Sequence, residues 1–166
     1  ANLLRGSGYH AQAEALYRDA LAHHDLPQSR VGLARVLLDM DQAEAAVVLL
    51  RALPAAHRNL TSRLLLSEAL AHSGQRQAAL DELLARAEGM PAEDSRFALM
   101  LASRLMAVGR FEEAQVKLNP LLATPAAISA YLAGVDLRLL LRDWEAARAL
   151  LAEGVARFPD EAPLLT

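Results

Sequence analysis

The sequence predicts an all-α fold of stacked antiparallel helix hairpins, a right-handed α-solenoid, and three observations carry that expectation. The 166 residues are 54% hydrophobic but only 4% aromatic, and leucine and alanine dominate, which is a helix-former's composition. Five turn-like positions, Gly8, Asp41, Gly74, Gly109 and Arg142, recur at spacings of 33, 33, 35 and 33 residues. Five residues after each stands an alanine (Ala13, Ala46, Ala79, Ala114, Ala147), and four further on a large residue (Tyr17, Leu50, Leu83, Leu118, Leu151). A period of this length marks a repeat architecture whose copies are single supersecondary units.

The elements follow from these columns. Alanine and the large residue one turn later share a helix face, so the stretch after each turn is a helix that brings small side chains against a neighbour. Before three of the turns runs Leu33-Ala34 with Leu37, Leu66-Ser67 with Leu70, and Leu101-Ala102 with Leu105, the inner stripe of a preceding helix. Residues 2–5 therefore read as the tail of a first helix and 10–24 as its partner. Then come 28–39 with 42–53, 60–72 with 75–87, 94–107 with 110–123, and 127–141 with 143–157. Pro27, Pro54, Pro91, Pro125 and Pro159 punctuate the spans. Residues 160–166 read as the start of another helix. The whole of 1–166 is expected to be one array, with a partial repeat over 1–26, repeats over 27–58, 59–92, 93–125 and 126–159, and a further helix beginning at 160. Both ends are expected to fall inside a longer superhelix.

These residues resemble the tetratricopeptide repeats. The clearest copy runs from Phe97 to Pro125, with Leu101-Ala102, Leu105, Gly109-Arg-Phe111-Glu-Glu-Ala114, Leu118 and Leu121 in the family's helix–turn–helix order. A second has Leu66, Leu70, Gly74-Gln-Arg-Gln-Ala-Ala79 and Leu83, and the last has Tyr131, Trp144-Glu-Ala-Ala147, Leu151 and Pro159. Asp41 and Arg142 depart from the family's turn glycine, and Gly134-Val135 departs from its leucine–small pair.

Composition excludes several classes of activity. A net charge of -3 and a pI near 6.0 lack the basic footprint of nucleic-acid binding. Without cysteine there are no disulfides, thiolate metal sites or cysteine nucleophiles. The longest weakly charged stretch, 121–135, falls short of the ~20 apolar residues that a bilayer crossing needs. Sixteen of the 17 basic residues are arginine, Lys117 being the exception, which fits a GC-rich bacterial genome. His23 and His24 point about 100° apart on a helix and cannot ligate together, while His10 and His57 are expected in turns and His72 near a helix end. The acidic pairs Glu112-Glu113 and Glu93-Asp94 read as helix starts, where carboxylates favour the exposed amides. No nucleophile elbow, phosphate loop or HExxH is present, and Asn59-Leu60-Thr61 is a chance-level glycosylation sequon.

The resemblance implies a concave groove lined by the first helix of each pair. Its columns place Gln28, Arg35 and Asp39 there, then Thr61, Leu65, Glu68 and His72, then Arg96, Met100, Ser103 and Met106, with Ser129, Asp136 and Leu140 from the last copy. The family's carboxylate clamp is absent, since its lysine and asparagine columns hold Val31, Arg35, Leu64 and Glu68. The expected activity is non-enzymatic binding of a protein or peptide, without cofactor, metal, nucleic acid or membrane insertion. A bacterial cell-envelope setting, such as the periplasmic repeat region of an exopolysaccharide secretion or outer-membrane assembly protein, is the expected context. A structural spacer or self-association module is the alternative, and an accessory region of a larger enzyme such as a peptidase a third.

Overall fold

The computed structural model describes the backbone of residues 2–87, 95–123 and 128–159, and the side chains of these residues from Gly8 onward except 86 and 87. Nine α-helices occur among them: α1 (Asn2–His23), α2 (Pro27–Asp39), α3 (Ala43–Arg51), α4 (Leu60–His72), α5 (Arg76–Ala87), α6 (Ser95–Ala107), α7 (Phe111–Ala123), α8 (Ile128–Leu140) and α9 (Trp144–Arg157). A short 3₁₀ turn, Ala55–His57, precedes α4, and no strand occurs among the described residues. The predicted spans from 28 to 157 match these bounds to within one or two residues, except that residues 88–94, 124–127 and 160–166 lie outside the described set. With them go the expected helix from 160, Pro91, Pro125 and the Glu93-Asp94 pair.

The chain forms two compact units, Ala1–Arg86 and Ala87–Thr166. In the first, α1 packs on α2, α2 on α3, and α3 on α4. Leu33, Ala34, Leu37, Ala46, Val47, Leu50, Leu53, Leu65, Leu66, Ala69, Leu70 and Ala79 make its core. In the second, α6 packs on α7, α7 on α8 and α8 on α9, with α6 also meeting α8. The alanine column is buried throughout the four later copies: Ala46, Ala79 and Ala114 are 0% exposed and Ala147 4%. Small side chains here let paired helices approach closely.

Four of the five turn positions share one conformation. Asp41, Gly74, Gly109 and Arg142 have φ of 62°, 77°, 79° and 58°. At each, the next residue's N–H reaches the carbonyl five residues back (Gln42 to Leu37, Gln75 to Leu70, Arg110 to Leu105, Asp143 to Arg138), and the turn residue's own N–H reaches three back. This is the Schellman end, which satisfies the last carbonyls of the first helix and starts the second. Asp41 and Arg142 adopt it without glycine, so hairpin geometry overrides residue preference there.

The expected first turn is absent. α1 runs unbroken for 22 residues through Gly8, which is not among the positive-φ residues, and His10 is helical instead of in a turn. Glycine permits a left-handed turn but does not impose one, and Gly8 has nothing within 4 Å of its would-be Cβ. Pro27 also sits inside its helix, at the first position of α2, where a missing N–H costs nothing. Pro120 lies inside α7 three residues from its end; it is exposed, as is Val116, whose carbonyl loses the ladder bond on the solvent side.

Gly134 explains the weak leucine–small pair of the last copy. It occupies the column of Leu33, Leu66 and Leu101, and Leu150 of α9 fills the space: a Cβ at Gly134 would stand 2.6 Å from Leu150 Cδ2 and 3.4 Å from Leu122 Cδ1. Tyr131, 0% exposed, supplies the bulk one turn earlier. Its hydroxyl donates to Glu153 Oε1 (2.9 Å) and accepts from Arg157 Nη1 (2.6 Å), while Phe158 meets its ring edge-on at 5.8 Å.

Candidate functional site

The first helices of the hairpins carry the predicted binding residues, and helix geometry decides which of them face out. On α2, Gln28, Arg35 and Asp39 are exposed; on α4, Thr61 and His72 are exposed and Glu68 is half-buried. Leu65 is a correction. It is 4% exposed and belongs to the core of the first unit, because α4 is buried on a broad arc that includes Leu64, Leu65 and Leu66. In the second unit, Arg96 and Ser103 of α6 are exposed and Met100 and Met106 are half-buried, while Ser129, Asp136 and Leu140 of α8 are exposed.

Arg96, Met100 and Ser103 stand at i, i+4 and i+7, so a cation, a thioether and a hydroxyl share one stripe of α6. Met106 continues it by one turn. Arg35, Asp39, Glu68, Arg96 and Asp136 make no ion pair among the described residues, whereas Arg63 is held by Glu82 across α4 and α5 at 2.8 Å. Unpaired charges beside half-buried apolar groups can meet a peptide's backbone, charges and side chains. They offer no nucleophile–base pair, and no group of three metal-binding side chains occurs among the described residues.

Sequence reading missed a second feature of the first unit. A cavity of about 380 Å³ is lined by Arg51 of α3, Arg58, Leu66 and Leu70 of α4, and Ala78, Asp81 and Glu82 of α5. Arg58 closes one side by donating Nε to Leu53 O (2.9 Å) and Nη2 to Arg51 O (3.0 Å), which satisfies the carbonyl end of α3. None of the predicted groove residues lines it. The signal for Arg58 was its place just after a helix end, where a guanidinium bonds free carbonyls. Asn59, the sequon residue, is the N-cap of α4: its side chain accepts from Ser62 N at 3.0 Å.

Comparison with solved structures decides what this arrangement is. The chain superposes over 98% of its length on 90% of TTC0263, a thermophilic TPR protein of Thermus thermophilus, with a TM-score of 0.74 at 23% identity. The fold is that of the tetratricopeptide-repeat proteins. A second such structure, YrrB, described as a TPR protein with an unusual peptide-binding site, matches 99% of this chain and 84% of its own, with a TM-score of 0.70 at 19% identity. No family model matches the sequence, and no curated protein matches it. Within the tetratricopeptide fold, many side chains satisfy the same packing columns. Here Arg142 and Asp41 make glycine's turn, and Leu150 fills a leucine's place over Gly134.

No helix among the described residues is long and apolar enough to cross a membrane.

Proposed function

We propose that this chain is a non-enzymatic binding scaffold that holds a protein or peptide segment along the first helices of its hairpins. The observation that carries the reading is the α6 stripe, where Arg96, without an ion pair among the described residues, stands one turn from half-buried Met100 with Ser103 beyond it. A flexible thioether adapts to varied apolar side chains, and the neighbouring guanidinium supplies orientation through a carboxylate or backbone carbonyl. In the first unit, Arg35 and Asp39 of α2 with Glu68 and His72 of α4 offer a mixed-charge surface of the same kind. The peptide-binding site of the structurally similar YrrB supports the general reading. A cell-envelope setting has no support in the fold or in the similar structures.

The test is peptide selection from a random display library, followed by titration of the selected peptide against single variants. Arg96→Glu should weaken binding at least about tenfold if the second unit holds the peptide, as should Arg35→Glu if the first does, about 1.4 kcal/mol in either case. Unchanged affinity in both variants would remove the first-helix surfaces from consideration.

A further inference from the structure

The cavity of the first unit sets opposite charges on different walls over an apolar floor. Leu66 and Leu70, 8% and 2% exposed, form the floor, and Ala78 of α5 continues it. Arg51 and Arg58, at the end of α3 and in the segment after it, supply the cationic wall. Asp81 and Glu82, on one face of α5 with Ala78, supply the anionic one.

Much of this charge is unspent. The Arg51 side chain makes no hydrogen bond or ion pair among the described residues, and Asp81 accepts only from the Gln77 amide at 2.8 Å. Arg58 is fixed through Nε and Nη2 by the carbonyls of Leu53 and Arg51, which leaves its Nη1 without a partner among the described residues. Glu82 is already neutralised by Arg63 at 2.8 Å. Neither Arg51 nor Arg58 pairs with Asp81 or Glu82, so cation and anion stand apart across the opening.

The repeat indicates that packing does not require these charges. One period of 33 residues earlier, the columns of Asp81 and Glu82 hold Val48 and Leu49, while those of Leu66, Leu70 and Ala78 hold Leu33, Leu37 and Ala45. In the same copy the column of Arg51 holds Arg18, paired with Glu14 at 2.8 Å, and that of Arg58 holds Asp25, paired with Arg30. The apolar floor is common to both copies. The opposed, unbridged charges belong to the later one.

We propose that this cavity binds a short peptide by its two free ends, at a site separate from the first-helix surfaces. The terminal carboxylate meets the guanidiniums of Arg51 and Arg58, the latter held in place before any ligand arrives, and the terminal ammonium meets Asp81. Apolar side chains rest on Leu66, Leu70 and Ala78. A volume of about 380 Å³ stands at the low end of small-ligand sites, roughly 300–1,000 Å³. The separated charges set the length of the ligand. An extended residue advances about 3.3–3.6 Å, so a di- or tripeptide can reach from one wall to the other, whereas a free amino acid carries both charges on one carbon.

The experiment is a titration of the ¹⁵N-labelled chain with the peptides Ala-Leu and Ala-Leu-Leu to about 20 mM, followed by NMR. The opening is wide and the ligand small, so a Kd of about 0.1–10 mM is expected. Amide signals of Arg51, Leu66, Leu70, Asp81 and Glu82 should shift and saturate. N-acetylated peptides, C-terminal amides and free leucine should each bind at least about fivefold more weakly, as should the peptides to Arg51→Glu or Asp81→Lys. Both substituted side chains are exposed, so circular dichroism should report an unchanged fold. Absence of a saturable shift overturns the proposal, as do shifts confined to residues away from the cavity. Equal binding by the capped peptides or leucine, or variants that bind as well as the parent chain, overturns it too.

Discussion

Tyr17 of α1 lies so close over Gly32 of α2 that a Cβ added there would stand 2.5 Å from two ring carbons and 2.8 Å from the hydroxyl. The ring reaches the core cluster of the first unit only because that helix face has no side chain. Gly32→Ala gains about 1 kcal/mol of helix propensity but must displace the ring, which costs about 1–3 kcal/mol. The expected outcome is a net loss of about 1 kcal/mol in urea unfolding, reduced when Tyr17→Leu is added. A more stable single variant would show that the ring leaves without cost.

Arg142 holds φ of 58° at a turn where Gly74 and Gly109 hold 77° and 79°. A side chain in this region costs about 1–2 kcal/mol, part of which glycine returns through the greater freedom of the unfolded chain. Arg142→Gly should therefore raise stability by about 0.5–1 kcal/mol, and Gly74→Ala should lower it by about 1 kcal/mol. Thermal melts of the two variants moving in the same direction would contradict the hairpin account.

Ser67 stands in the small column of α4, fully buried, with its Oγ donating to Ala79 O at 2.8 Å. Ser67→Ala should cost about 1 kcal/mol for the lost bond. Ser67→Leu should cost more, about 1–3 kcal/mol beyond it, because the helices must part. Equal losses in denaturant titrations would mean that volume at this column does not matter.

Stability should fall at both ends of the pH scale through different groups. Burial pushes the Tyr131 hydroxyl above its ordinary value of 10.0 and the bond to Glu153 adds to this, against an opposing pull from Arg157. The unfolded tyrosine loses its proton first, so this contribution is present below about pH 10 and disappears as pH rises through the folded value. In acid, hydrogen bonds from Arg30 and Arg110 hold the Asp25 and Glu113 carboxyls below their ordinary 3.8 and 4.5. Their contribution is present above those values and is lost as pH falls through the lowered ones. Tyr131→Phe should flatten the alkaline side of a pH–stability profile, and Asp25→Asn with Glu113→Gln the acid side. An alkaline side unchanged in Tyr131→Phe would assign it to other groups.

Much of the fold was legible because repetition multiplies weak signals. A lone Gly-x₄-Ala means little, but the recurrence of Ala46, Ala79, Ala114 and Ala147 located every hairpin from α2 to α9. The single failure, at Gly8, came from the least constrained copy, where α1 continues as a helix through the predicted turn. The candidate site was less legible. Column position placed Arg35, Asp39, Arg96 and Ser103 at the surface, but it also chose Leu65, which α4 buries. A column states which face a residue occupies, whereas the width of the covered arc depends on the neighbouring helices. The cavity beside Arg58 was invisible for the same reason, since its lining comes from α3, α4 and α5 together.

The sequence by itself determined the hairpin period, the helix limits and the small-residue columns, because these follow from local propensity and from side-chain spacing on one helix. Tertiary structure decided the rest. It put Asp41 and Arg142 into a conformation that neither residue favours, and seated Tyr17 on Gly32 and Leu150 on Gly134. Each of these outcomes depends on contact with a neighbouring helix, and no single helix encodes that.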